Sequence, residues 1–278
     1  MGFFQTTDGT TLAYEDYGTG TPLLFVAGWS LHSDMWEYQV PFFLEQGYRC
    51  VLVDRRGHGR SDRPSTGYDV DTRADDLAAL IEHLDLQAQG GGADVILVAH
   101  SAGGGEVVRY LARHGQDRIA RIALLAPAIP FMCQTADNPA GVPRAALEAS
   151  QAQFRADRPK WYADRGQGYF ATHMGTGVSQ AVMDAEMQRC MQAAPYAALV
   201  MQREIFTADH RADVAALTLP VLLLHGIPDQ SIPIDVASRQ AVKLVPHAVY
   251  KEYPDAGHGL YISHAAQVNA DILEFLKS

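Results

Sequence analysis

The sequence is short of basic residues, of cysteine and of long apolar runs, and each shortage removes a class of function. Lys and Arg number 22 against 32 Asp and Glu, a formal net charge of -10, and no run of Lys or Arg occurs. Binding to nucleic acid or to an anionic membrane surface needs a basic footprint, so neither partner is expected. The three cysteines, Cys50, Cys133 and Cys190, lie far apart. An odd, scattered set offers neither a disulfide framework nor metal-ligand spacing, and reads as buried thiols in a reducing compartment. No stretch approaches the roughly 18 apolar residues of a membrane helix. Residues 1–10 lack the basic start and apolar run of a secretion signal, so a cytoplasmic location is the expectation. No pair of His, Asp or Glu has the helical spacing of metal ligands. The glycine-rich stretch 87–94 (QAQGGGAD) lacks the Lys and Ser/Thr of a phosphate loop and reads as surface loop, and no nucleotide-binding glycine motif follows the first strand.

What is present is a chain able to form a large core. Hydrophobic residues make up 47% of the 278 and charged residues 19%, a composition that excludes general disorder. Short apolar runs at 22–26, 50–53, 95–99, 119–125 and 221–225 read as buried strands. Segments 75–86 and 106–112 between them have helical spacing, and 267–276 forms a closing helix. Unbroken apolar strands alternating with helices predict an α/β fold with a mainly parallel sheet covered on both faces. Between about 131 and 218 the alternation stops. Helical patterns at 144–154, 179–191 and 196–206 follow one another without strands, punctuated by proline and glycine. We read 131–218 as a helical cap inserted into a core formed by 1–130 and 219–278. Its bulky residues, Trp161 and Tyr162 among them, serve mainly to pack the insertion.

The chemically informative segment is 95–110, VILVAHSAGGGEVVRY. A buried strand runs into Ala99-His100-Ser101-Ala102-Gly103 and a helix follows at once. So tight a reversal strains its apex and needs small neighbours two residues either side, which Ala99 and Gly103 supply. It lifts Ser101 above the sheet beside a helix N-terminus, where developing negative charge is favoured. The Ala102 N–H is then a natural oxyanion donor. A serine hydroxyl needs a base, and in this architecture the order is Ser, acid, His. Asp229 follows the strand at 221–225, and His258 follows a further strand at 249–253. Both lie just past strand C-terminal ends, where open α/β sheets place their sites. Asp255 is too near His258 to orient it and reads as a turn residue. His58 reads as structural, His100 as facing the interior of the elbow, and His32 as either pocket lining or an exposed loop residue. The loop after the first buried strand, Ala27-Gly28-Trp29-Ser30, offers the Trp29 N–H as second donor, with Gly28 permitting close backbone approach. Gly28, His32, Phe131, Trp161 and Tyr162 are candidate pocket residues.

Several stretches together resemble the cofactor-free haloperoxidase group of α/β-hydrolases, also described as arylesterases and perhydrolases. They are Asp54-Arg55-Arg56-Gly57-His58-Gly59-Arg60-Ser61-Asp62, Ser101 with the helix that follows it, Asp229-Gln230-Ser231-Ile232-Pro233-Ile234, and His258-Gly259-Leu260. The resemblance covers nearly the whole chain. It implies an eight-stranded, mostly parallel sheet with a helical cap, no cofactor and no metal. It also implies ester hydrolysis through an acyl-enzyme and the making of peracids, which oxidise halide. A homo-oligomer, a dimer or larger ring, is left open by the resemblance, and no segment demands one. Two positions depart from the group's pattern. Ala27 and Ser30 stand where His and Pro are usual, which bears on peracid formation more than on ester cleavage. Ile227 replaces a common Asp two residues before Asp229, leaving that neighbourhood less polar.

The expected function is therefore a serine hydrolase acting on a small-to-medium hydrophobic or aromatic ester or a lactone. A C–C bond hydrolase would use the same three residues, and a ligand receptor that turns over slowly would retain them. An epoxide or haloalkane hydrolase needs Asp where Ser101 stands. The fold alone does not choose among these.

Overall fold

A computed structural model describes residues 1–86 and 95–278; the 87–94 loop expected from the sequence lies outside the described residues. In chain order the strands are β1 (Gly2–Gln5), β2 (Thr11–Tyr17), β3 (Pro22–Val26), β4 (Arg49–Val53), β5 (Val95–His100), β6 (Ile119–Leu125), β7 (Val221–Gly226) and β8 (Val249–Tyr253). They form one eight-stranded sheet in the order β1-β2-β4-β3-β5-β6-β7-β8. β1 and β2 join antiparallel at one edge, and every pairing from β4 to β8 is parallel. The apolar runs read from the sequence are these parallel strands. The antiparallel pair β1 and β2, mixed in composition and largely half exposed, carried no such signal.

The helices are α1 (Val40–Glu45), α2 (Val70–His83), α3 (Ala102–His114), α4 (Arg144–Ala156), α5 (Arg158–Ala163), α6 (Gly166–Tyr169), α7 (Gln180–Met191), α8 (Pro195–Thr207), α9 (Arg211–Ala215), α10 (Ser238–Leu244), α11 (Leu260–Ser263) and α12 (Ala265–Lys277). α2 begins earlier than the expected residue 75 because Asp69 caps it, its carboxylate accepting the Thr72 N–H at 2.8 Å. α7 begins where Ser179 caps it in the same manner.

Alternate residues of each central strand feed two separate cores, as the two-residue repeat of a strand requires. Leu24, Val26, Leu97, Ala99, Leu124 and Leu223 pack with α2 and α3 on one face. Leu23, Phe25, Val98, Leu125, Leu222 and Leu224 pack with α1 and α12 on the other. Each such side chain, when fully buried, contributes roughly 1.5–3 kcal/mol. α4 to α8 lie between β6 and β7 in the chain, with no sheet strand among them. No helix among the described residues is long and apolar enough to cross a membrane.

Candidate active site

The reversal between β5 and α3 places Ser101 at φ 53°, ψ -116°, a region that ordinary residues enter at a cost of about 1–3 kcal/mol. Its surroundings hold it there. The Ser101 N–H donates to the Leu125 carbonyl at 2.9 Å, and the Ser101 carbonyl accepts from Ala128 and Gly104 at 3.0 Å each. Close packing explains the small residues that follow. A Cβ on Gly103 would stand 2.6 Å from the Val26 carbonyl oxygen, and one on Gly104 would stand 2.7 Å from Pro127. The first turn of α3 is thus pressed against the ends of β3 and β6. No side chain caps that helix, so the N–H groups of Ala102 and Gly103, which no backbone carbonyl takes, are left as donors beside Ser101, while that of Gly104 is bonded to the Ser101 carbonyl.

Asp229 follows β7 and His258 follows β8; both are buried. His258 Nδ1 is 2.7 Å from Asp229 Oδ2. The other carboxylate oxygen, Oδ1, accepts the N–H groups of Ser231 at 2.8 Å and Ile232 at 2.9 Å. Burial opposes ionisation of Asp229, but the nearby His258 and the hydrogen bonds from His225 and His258 outweigh it and hold the carboxyl well below the usual carboxylate range. His100, the residue before Ser101, donates from Nε2 to the His258 carbonyl at 3.0 Å, and its ring lies 4.6 Å from that of His258. Burial, with the neighbouring His258, pushes the His100 pKa well down. No Ser101–His258 hydrogen bond forms among the described residues; such bonds often close only when substrate is bound.

In the loop after β3, Gly28, Trp29, Ser30 and Leu31 make a turn closed by the Leu31 N–H to the Gly28 carbonyl at 3.3 Å. Ser30 has φ 61°, the positive value that the third residue of a type II turn requires. Proline, locked near -65°, could not occupy position 30 in this turn. The departure at Ser30 therefore marks a loop backbone incompatible with proline there. Gly28 is needed for a reason internal to the site: a Cβ there would lie 2.5 Å from His100 Nδ1.

The remaining candidates have clear surroundings. His32, 2% exposed, is buried, not an exposed loop residue; its Nδ1 accepts the Asp34 N–H. His58 is buried with Nδ1 3.0 Å from the Arg56 carbonyl, and Asp255 pairs with His264. Phe131 lies under the Arg211 guanidinium. Trp161 packs on Trp29 and Phe154 and lies under Arg165. Tyr162 packs on Trp29 and donates to Ser30 Oγ at 2.7 Å. Ile227 is exposed, so it leaves the surroundings of Asp229 to other groups. Among the described residues no cluster of three or more His, Cys, Asp or Glu could hold a metal ion.

Two features escaped sequence reasoning. His225 Nε2 faces two acceptors, the Ile232 carbonyl at 2.9 Å and Asp229 Oδ2 at 3.2 Å, so this nitrogen carries the proton. Its Nδ1 meets Ser238 Oγ at 2.7 Å. A histidine ending an otherwise apolar strand was the available signal. The second is a buried chain from α7 to the histidine loop. Tyr261 donates to Glu186, Tyr169 Oη lies 3.0 Å from Tyr261 Oη, and the Tyr169 carbonyl accepts the Gly259 N–H at 2.8 Å. Residues from distant segments meet there, and no local pattern announces it.

Residues 21–265 match the family described as alpha/beta hydrolase fold. The chain is 38% identical over 280 residues to a non-heme haloperoxidase of Rhodococcus erythropolis, across 100% of both chains. It is 35% identical over 285 residues to a bifunctional esterase/perhydrolase of Acinetobacter calcoaceticus, again across 100% of both. It matches the crystal structure of a bromoperoxidase from Bacillus anthracis with a TM-score of 0.91 at 32% identity, covering 100% of each chain.

Proposed function

We propose that this chain, which belongs to the alpha/beta hydrolase fold family, cleaves carboxylic esters through an acyl-enzyme on Ser101. The observation that supports this most is the buried Asp229–His258 bond of 2.7 Å beside a serine held at positive φ. Asp229, kept ionised, fixes the imidazole with its proton on Nδ1 and leaves Nε2 free as a base. His258 takes the Ser101 proton as Oγ attacks the ester carbonyl. The oxyanion that forms is met by the N–H groups of Ala102 and Trp29, each contributing on the order of 3 kcal/mol. The tetrahedral intermediate expels the alcohol, which leaves with the proton from His258. Water then repeats the sequence on the acyl-enzyme, releasing the acid and restoring Ser101.

The proposed substrate is a small-to-medium hydrophobic or aromatic ester or a lactone, with 131–218 acting as a cap over a core of 1–130 and 219–278. A relative named esterase/perhydrolase favours a side reaction: hydrogen peroxide in place of water would take the acyl group and leave as a peracid. The experiment is turnover of 4-nitrophenyl acetate and butyrate in EDTA, beside Ser101→Ala. Metal-independent turnover with an initial burst, reduced at least a thousandfold in the variant, is expected; mutational loss of a serine nucleophile is commonly about 10⁶. Equal rates in both proteins would remove Ser101 as nucleophile, and a burst without further turnover would favour a ligand receptor.

A further inference from the structure

The reading above needs the Trp29 N–H to point at the oxyanion, and the turn that carries it is held from two sides. From the core, Arg55 reaches up from the loop after β4. Its Nη1 donates to the Gly28 carbonyl at 2.5 Å, and its Nη2 donates to the Ala27 carbonyl. The Gly28 carbonyl and the Trp29 N–H belong to one planar peptide unit and point in opposite directions. Fixing the carbonyl therefore fixes where the N–H points. Arg55 is itself anchored: its Nε lies 3.1 Å from Glu106 on α3, and the same carboxylate takes Arg73 of α2. All three side chains are buried.

From the insertion, Tyr162 on α5 donates to Ser30 Oγ at 2.7 Å, and the Trp29 ring donates from Nε1 to the Ala198 carbonyl of α8 at 2.8 Å. Ser30 is fully buried at φ 61°. A serine without such support gains by returning to negative φ, which would turn the peptide on the other side of Trp29. We propose, resting on the reading of Trp29 as an oxyanion donor, that Arg55 and Tyr162 are positioning residues that set the direction of its N–H from opposite sides. Arg55 acts through the Gly28 carbonyl and Tyr162 through the Ser30 hydroxyl. Neither touches the reacting atoms.

The test compares Tyr162→Phe, Arg55→Lys and Ser101→Ala with the parent protein on 4-nitrophenyl acetate, with melting temperatures and near-ultraviolet circular dichroism as folding controls. Tyr162→Phe keeps its ring in the aromatic cluster and loses only the hydroxyl. Arg55→Lys keeps the charge but cannot hold two carbonyls with one rigid fork. Each is expected to lower kcat about tenfold, in line with the cost of misplacing a catalytic group, while KM changes less than about threefold. Inhibition by a phenylboronic acid, whose adduct with serine places an anionic oxygen in the hole, should weaken by the same factor as kcat/KM. Ser30→Gly in the Tyr162→Phe background should recover most of kcat, since glycine holds positive φ unaided. Wild-type kcat in either folded variant, or a loss confined to KM, overturns the proposal. If Arg55→Lys does not fold, Tyr162→Phe with its glycine rescue decides alone. Parent activity untouched in Ser101→Ala would instead sink the underlying hydrolase reading.

Discussion

The parallel core and the helices between β6 and β7 are built on different principles. β3, β5 and β7 are buried at every residue, and their side chains meet mainly aliphatic neighbours. Burial is uneven in the inserted helices: α4 buries Leu147 and Phe154 and α8 buries Ala197, Ala198, Met201 and Gln202, but α5 and α6 bury no residue fully, and α7 buries only Glu186. What ties them down is specific and partly polar: Tyr162 to Ser30, Trp29 to Ala198, the Tyr169 carbonyl to Gly259, and Tyr261 to Glu186. Every one of these ties lands on, or next to, a loop carrying a proposed site residue. The core thus supplies stability by area, which is non-directional, and the insertion supplies orientation, which needs few contacts. Damage to the two regions should therefore register in different measurements.

The largest separation should come from truncating one apolar side chain in each region. Leu97→Ala, at a fully buried strand position, should cost about 2–5 kcal/mol in urea unfolding. Val182→Ala on half-buried α7 should cost about 1 kcal/mol or less. Similar losses would mean that the insertion is packed as tightly as the core.

A smaller effect should appear on acidification. Burial, followed by the Arg55 charge, pushes the His58 pKa down to about 3. An unfolded histidine titrates near about 6.5. A depressed pKa means that the unfolded chain takes up the proton first. His58 therefore leaves stability intact above about 6.5 and removes it between about 6.5 and 3, by up to about 1.4 kcal/mol per pH unit. His58→Gln should flatten that limb of a stability–pH curve, and an unchanged slope would assign acid sensitivity elsewhere.

The smallest effect tests the insertion alone. A Cβ on Gly166 would meet only the Met183 side chain, Sδ at 3.6 Å and Cβ at 3.9 Å, both ordinary contacts. Gly166→Ala should raise stability by about 0.5 kcal/mol through lower chain entropy, with kcat unchanged. Loss of stability would show that α6 tolerates no added bulk.

Much of this fold, and the placing of the candidate site residues on it, was readable residue by residue. Strand runs such as 22–26 and 119–125 have the bounds of β3 and β6, because a strand covered on both faces is mainly apolar, with Arg121 the one charged residue in the second run. Ser101, Asp229 and His258 stood out because each follows a strand at the sheet's C-terminal edge. α5 and α6 were not foreseen; they are a turn or two long, and their residues are placed by what they touch. His225 offered only a polar residue in an apolar strand, with nothing to say that its proton would face Asp229.

By itself the sequence determined the order of the apolar parallel strands and of the longer helices, the two-sided burial of the sheet and the elbow at Ser101. These follow from local rules: hydrophobic periodicity, capping and the need for small residues at a tight turn. Only the tertiary structure decided which carbonyls Arg55 would hold, that Tyr162 would meet Ser30 across 132 residues, and that His225 would share the Asp229 carboxylate with His258. Those are directional contacts between distant segments. Their geometry exists only after the sheet and the insertion have packed, and no periodicity in the chain encodes it.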